Sequence, residues 1–252
     1  MANKIESTPD DMHWTDHLGE LRKRIFLSLF VFIVFFGLGF YFAKDIYFYV
    51  EGDVPFELTI LSPFEIIWVY IMIATMTGLM ITLPFFGLQL WLFIKPGLTK
   101  KEQRISLMYI PAMFILFVLG LGFGYFFIKD LILDFLLDLS DGVVQEMYTA
   151  RNYFKFIMQT TIPFALFFEV PLISMFLTSL GILDPRFMKK TRKYAYLILV
   201  ILGAMLSPPD FILQLLVAGP LIVLYEIAIV MSSIVHRRRM KQLKALYMDS
   251  DE

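Results

Sequence analysis

Long apolar runs constrain the fold of this chain more than any other feature. A helix needs about 20 apolar residues to cross the roughly 30 Å hydrocarbon core of a bilayer. Because 58% of the residues are hydrophobic, more than soluble domains carry, lipid is the expected solvent. The pattern predicts an all-α polytopic membrane protein with a tail at 236–252. The six predicted spans are residues 25–43, 66–94, 107–128, 156–183, 194–206 and 211–235.

The last two predicted spans are joined by a linker that is too short to be anything but a tight turn. As a helix, residues 194–206 would cover only about 20 Å at a rise of roughly 1.5 Å per residue. The linker that follows is Ser207-Pro208-Pro209-Asp210. The two segments therefore predict a hairpin of short helices, around which the bilayer thins or neighbouring helices tilt.

Proline and glycine residues inside the spans indicate how the helices pack. Proline removes a backbone donor and can kink a helix, so kinks at several levels predict a curved, concave bundle. Gly120 and Gly124 form a small-residue pair at helical spacing, which favours close helix packing. The prolines within the spans are Pro84, Pro111, Pro163, Pro171 and Pro220.

Basic residues are segregated to one side of the predicted bundle. Lysine and arginine mark the cytoplasmic side of a membrane protein. All but four of the 22 lie in the N-terminal segment, the linkers between spans two and three and between spans four and five, or the tail. The pattern predicts that both termini are cytoplasmic. The four exceptions are Lys44, Lys129, Arg151 and Lys155.

The residues that intramembrane chemistry would need are not evident. The sequence has no cysteine and only three histidines, His13, His17 and His236. His13 and His17 are spaced to hold a metal on a helix, but neither a zincin pattern nor a cysteine accompanies them. The sequence also has no phosphate-cradling glycine loop, so we expect no enzyme activity, cofactor, metal or ATP site. No nucleic-acid partner is expected either.

Among the polar residues within the apolar spans, Glu169, Gln214 and Glu226 are the candidates for a functional role. Glu169 lies midway along the fourth span, and Gln214 and Glu226 lie in the sixth. An ionisable group at this depth is costly and indicates a functional site by default. Glu169 could instead be a protonated or paired structural acid between helices, for example one that is hydrogen-bonded to backbone freed by Pro171. The structural interpretation is stronger for Glu226, which is nearer the cytoplasmic end.

Two basic clusters on the predicted cytoplasmic side each contain a carboxylate. In the cluster before span one, Glu20 and Arg24 are spaced to form a helical ion pair,. In the cluster before span three, Thr99 and Glu102 are spaced as a capping box,. Each cluster alone is explained by a helix start, but two acids in basic surroundings on one side of the membrane favour a binding site.

Four short blocks stand in order along the six predicted spans. They are His17-Leu-x-Glu20-Leu-Arg22-x-Arg24; Trp91-x-Phe93-Ile94-x-Pro96-Gly97-Leu98 followed by Glu102 and Arg104; Phe168-Glu169-x-Pro171; and Leu206-Ser207-Pro208-Pro209-Asp210. In these blocks, from about residue 13 to residue 235, the chain resembles the TatC family, the multispanning subunit of the twin-arginine protein translocase.

The resemblance implies recognition rather than enzymology. A TatC protein binds the signal peptide of an already folded cargo protein at the cytoplasmic face. Glu20 and Glu102 would contact the two arginines of that peptide, with Leu21, Arg22 and Arg104 beside them. A carboxylate matches the planar donor fork of a guanidinium, which lysine does not reproduce.

The resemblance also implies partners and a location. Single-span TatA- and TatB-type subunits would dock on the bundle in an oligomeric complex of the bacterial plasma membrane, and the proton-motive force would drive transport. Glu169 would face the concave side. The turn and kink residues would be Pro96, Gly97, Pro171, Pro208, Pro209 and Asp210. An alternative is a small-solute carrier that uses Glu169, although the sequence lacks the internal repeats of such carriers.

Overall fold

The chain is almost entirely helical in a computed structural model that describes residues 9–97, 103, 107, 109–140, 147–207 and 210–249, with side chains among residues 19–241 except Ser140. This confirms the predicted all-α class. A 3-10 turn, Lys95–Gly97, follows α3, and a π-helical segment, Phe123–Ile128, joins α4 to α5. The helices are α1 (Pro9–Tyr41), α2 (Ala43–Glu51), α3 (Pro63–Ile94), α4 (Tyr109–Gly122), α5 (Lys129–Ser140), α6 (Ala150–Phe167), α7 (Val170–Leu180), α8 (Pro185–Lys190), α9 (Arg192–Leu206) and α10 (Phe211–Asp249).

Five helical stretches of the described chain are long and apolar enough to cross a membrane. They are Gly19–Tyr41, Pro63–Ile94, Tyr109–Leu139, Ala150–Leu180 and Phe211–Lys241. The predicted fifth span corresponds to α9, whose 15 residues reach about 22 Å at the usual helical rise. A sixth crossing by α9 therefore stays a prediction.

Local sequence explains where several helices begin and end. The Thr149 side chain accepts a hydrogen bond from the Asn152 N–H at the start of α6. At the start of α10, the Asp210 carboxylate accepts from the N–H groups of Ile212 and Leu213, at 2.8 and 3.1 Å. These contacts satisfy backbone donors that have no partner inside the helix.

The C-terminal end of α7 requires glycine. Gly181 has φ +80°, a left-handed conformation that other residues adopt only with strain. The Ile182 N–H then reaches back to the Leu177 carbonyl at 3.0 Å. The chain leaves the helix here and begins the linker that carries α8.

The chain divides into two compact units. The first contains residues Met1–Pro55 and Ile67–Thr99, and within it α1 packs against α3. A Cβ at Gly39 would lie 3.0 Å from the Cα of Ala74, and a Cβ at Gly78 would lie 2.9 Å from the Phe32 ring. These two glycines allow the helices to approach closely. Most of the apolar surface of α1 remains exposed, as expected of a helix that faces lipid.

The second unit contains residues Phe56–Ile66 and Lys100–Glu252. Its main apolar core joins the π-helical segment, α5, α6, α9 and α10 through Ile128, Ile132, Phe164, Leu199, Leu213, Val217 and Leu221. Polar contacts join α7 to α10. The hydroxyls of Thr178 and Ser232 lie 2.5 Å apart, and the Ser174 hydroxyl donates to the Ala228 carbonyl at 3.2 Å.

Candidate functional site

Glu20 lies on α1 and forms an ion pair with Arg24, one helical turn further on. The sequence predicted this pair from its spacing, and the structure confirms it. The Glu20 side chain is 37% exposed to solvent, whereas the Arg24 side chain is only 18% exposed. Glu20 is therefore an accessible carboxylate with a half-buried guanidinium behind it.

Arg24 also joins α1 to the C-terminal end of α3 within the first unit. Its Nη2 donates to the Leu92 carbonyl at 3.1 Å, and its Nη1 donates to Gln89 Oε1 at 3.3 Å. The last carbonyls of a helix have no partner within it, so this end of α3 offers ready acceptors. Sequence reasoning missed these contacts, because nothing in the pattern relates Gln89 to Arg24.

The other residues predicted to bind the signal peptide are described only in part. Leu21 is half-buried on α1 and Arg22 is exposed. Glu102 and Arg104 lie outside the described residues, as do Pro208 and Pro209. Pro96 and Gly97 form the 3-10 turn that ends α3. The structure therefore gives the geometry of the Glu20 half of the predicted site.

Glu169 lies at the junction of α6 and α7, two residues before Pro171. Its side chain is 9% exposed, and neither carboxylate oxygen has a hydrogen-bond partner among the described residues. The hydrogen bond to backbone freed by Pro171, one form of the structural alternative, is therefore not seen for this carboxylate among the described residues. A buried polar group without a partner is costly, which keeps the functional interpretation of Glu169 as a prediction.

Glu226 and Gln214, the candidate residues in the predicted sixth span, have protein partners. Glu226 accepts from Arg192 Nη2 at 2.6 Å and from the Tyr196 hydroxyl at 2.5 Å. Gln214 Nε2 donates to the Val200 carbonyl at 3.3 Å. All these contacts join α9 to α10. For Glu226 they favour the structural interpretation, a polar link within the predicted hairpin.

Two charged residues acquire contacts that sequence reasoning did not predict. Glu65 accepts from the N–H groups of Leu61 and Arg151, at 2.9 and 3.2 Å. Its place in the first turn of α3 was the available signal, because acids stabilise helix N-termini. Lys129 is 1% exposed, with its Nζ 3.0 Å from Asp130 and 4.4 Å from the centre of the Tyr125 ring. No signal in the sequence indicated that Lys129 is buried.

No cluster of histidine or acidic side chains suited to a metal ion occurs among the residues whose positions are described. The His13 and His17 side chains lie outside that part. The fold and the polar residues define a polytopic, all-α membrane protein with an accessible carboxylate near the start of its first span and a buried acid within another span.

Comparison with known proteins identifies the family. The family model described as Sec-independent protein translocase protein (TatC) matches residues 16–220. Two relatives from Bacillus subtilis strain 168 are TatCd, 42% identical over 92% of this chain and 96% of the relative, and TatCy, 39% identical over 94% of each. The chain therefore belongs to the TatC family. It is a multi-pass component of the Tat translocase of the bacterial membrane, and it is a transport component rather than an enzyme.

The solved structures agree with this assignment. A crystal structure described as the twin arginine translocase receptor TatC matches with a TM-score of 0.78 and 32% identity, over 87% of this chain and 99% of that one. A second, of the same receptor in DDM, matches with the same TM-score and 33% identity, over 86% and 99%. Membership of this family sets aside the alternative of a small-solute carrier.

Proposed function

We propose that this protein binds the paired arginines of a signal peptide at the cytoplasmic face, through Glu20 and Glu102. The observation that carries the proposal is the state of Glu20, an accessible carboxylate whose ion pair with Arg24 uses one oxygen, Oε1. A carboxylate has two oxygens and about four lone-pair sites. Glu20 therefore keeps the capacity to accept a second guanidinium.

Recognition of arginine rather than lysine follows from the shape of the two groups. A guanidinium is a planar fork that matches a carboxylate through two parallel hydrogen bonds, whereas an ammonium is a compact point charge. Two carboxylates, one on α1 and one in the segment before α4, would select a pair of arginines.

The orientation and partners are part of the same proposal. The segregation of basic residues predicts that both termini are cytoplasmic, and Glu20 and Glu102 would then face the side from which the folded cargo protein arrives. Single-span TatA- and TatB-type subunits would dock on the helices of this chain. The proton-motive force would then drive transport of the cargo through the assembled complex.

Charge-removing variants test the proposed site. We expect Glu20→Gln and Glu102→Gln each to raise the Kd for a twin-arginine signal peptide by about tenfold or more, because each loses a charge-assisted hydrogen bond. Glutamine also serves in a capping box, so Glu102→Gln keeps any helix start that depends on this residue. Binding is measured on purified protein after equal membrane insertion is verified.

Glu57→Gln is the matched control, because Glu57 is an exposed acid in the segment before α3. The control should bind the peptide like the unmodified protein. If both test variants also bind like the unmodified protein, the two carboxylates do not form the recognition site.

A further inference from the structure

Arg24 is held more tightly than a membrane anchor needs to be. Basic residues at a span end ordinarily extend to the headgroups. The Arg24 side chain is instead only 18% exposed, and its two terminal nitrogens face four acceptors. These are Glu20 Oε1, the Leu92 carbonyl, Gln89 Oε1 and, at 3.5 Å, the Gln89 carbonyl.

The two nitrogens divide these partners between helices. Nη2 contacts both Glu20 on α1 and the Leu92 carbonyl on α3, while Nη1 contacts Gln89 on α3. The rigid fork of a guanidinium can serve acceptors on two sides at once, whereas the single ammonium of lysine cannot span them in the same way. The position of the Glu20 carboxylate is thereby linked to the end of α3.

We propose that Arg24 is a positioning residue for peptide recognition: it fixes Glu20 against the end of α3, so that the carboxylate is oriented before the signal peptide arrives. The inference rests on the proposed function of Glu20. Arg24 occupies one carboxylate oxygen and leaves the remaining lone pairs for the peptide's guanidinium. Because long side chains lose rotamer freedom when they bind, an acid that is already held binds more tightly than a free one.

A double-mutant cycle tests whether Arg24 acts through Glu20. We expect Arg24→Gln to raise the Kd for a twin-arginine peptide by roughly tenfold, within the usual range for coupled neighbours. In a Glu20→Gln background, the same change should raise the Kd by less than about twofold. Arg24→Lys, which keeps the charge but lacks the fork, should recover little of the lost affinity.

Lys23→Gln is the matched control, because it removes one positive charge from the neighbouring, exposed position. It should leave peptide affinity unchanged. Membrane insertion and the thermal unfolding midpoint in detergent are measured for every variant. If Arg24→Gln does not insert, Gln89→Met replaces it, since that change removes only one acceptor of Arg24 and should raise the Kd about threefold, again only when Glu20 is present.

The outcomes separate this inference from the function on which it rests. If Glu20→Gln leaves the Kd unchanged, the proposed recognition site itself is wrong. If Glu20→Gln weakens binding but Arg24→Gln does not, only the positioning role is overturned. Equal losses from Arg24→Gln with and without Glu20 would also overturn it, because Arg24 would then act independently of Glu20. If Gln89→Met is used instead, equal losses with and without Glu20 would likewise overturn the positioning role.

Discussion

At the residue scale, charged groups in and beside the spans differ in whether the protein supplies them with partners. Glu226 has Arg192 and Tyr196, and Glu65 has two backbone N–H groups. Among the described residues, the carboxylate of Glu169 has no hydrogen-bond partner. Through these hydrogen bonds, Glu226 and Glu65 join helices to one another or to a loop. The Glu169 carboxylate makes no such link within the described part of the chain, which is why Glu169 remains the candidate for function within the membrane.

Two glycines of α4 and the π-helical segment allow these helical segments to pack closely against α6. A Cβ at Gly120 would lie 2.7 Å from the Cα of Ala165, and a Cβ at Gly124 would lie 2.8 Å from the Cα of Thr161. The sequence predicted close helix packing from this pair, and the structure confirms the contact with α6. At Gly122, a Cβ would meet only the Phe126 ring, at 4.0 Å.

Alanine substitution should therefore separate these glycines. We expect Gly120→Ala to destabilise the protein by about 1–3 kcal/mol, because backbone atoms must move apart. Gly122→Ala, the matched control, should be neutral or should stabilise by up to about 1 kcal/mol through helix propensity. Thermal unfolding of both variants in one detergent measures the difference. Equal unfolding midpoints would show that the Gly120 contact does not determine packing.

At the element scale, α9 determines the topology. The described chain has five stretches that are long enough to cross the bilayer, and an odd number of crossings would put the termini on opposite sides. The prediction that both termini are cytoplasmic therefore requires that α9, with 15 residues, also crosses. A helix of this length spans less than the usual hydrocarbon core, so thinning of the bilayer is expected beside it.

Labelling of single cysteines tests this crossing, and the absence of native cysteine makes the signal unambiguous. We expect an impermeant maleimide to label Glu57→Cys on intact cells, and to label Lys190→Cys and Lys241→Cys only after permeabilisation. All three positions are exposed. Labelling of Lys241→Cys but not Lys190→Cys from outside would show that α9 does not cross.

Hydropathy predicted where the helices lie better than where they end. The predicted fourth span, residues 156–183, corresponds to α6 and α7, which meet at Phe168 and Glu169. The helix that contains the third predicted span continues as α5 to Ser140, past acidic residues, because Ile132 and Leu133 are buried there. Hydropathy reflects the apolar character of many residues together. The end of a helix depends instead on individual caps and tertiary contacts.

At the scale of the whole molecule, the class of protein could be predicted from the sequence because a chain that crosses a bilayer needs a high content of apolar residues. The high apolar content and the segregation of basic residues are averages over many positions, so no single contact decides them. The arrangement around Glu20 could be predicted only in part. Its pair with Arg24 follows from helical spacing, but the link to Gln89 and Leu92 joins residues 65 and 68 positions away and depends on how α1 packs on α3.

The central claim is that this TatC protein recognises paired arginines through a pair of carboxylates. Its most direct test is the affinity of the purified protein for a twin-arginine signal peptide and for the same peptide with two lysines. The account predicts that the lysine peptide binds at least about tenfold more weakly, because an ammonium cannot make the bidentate contact. Equal affinities for the two peptides would contradict the account, since charge alone would then explain binding.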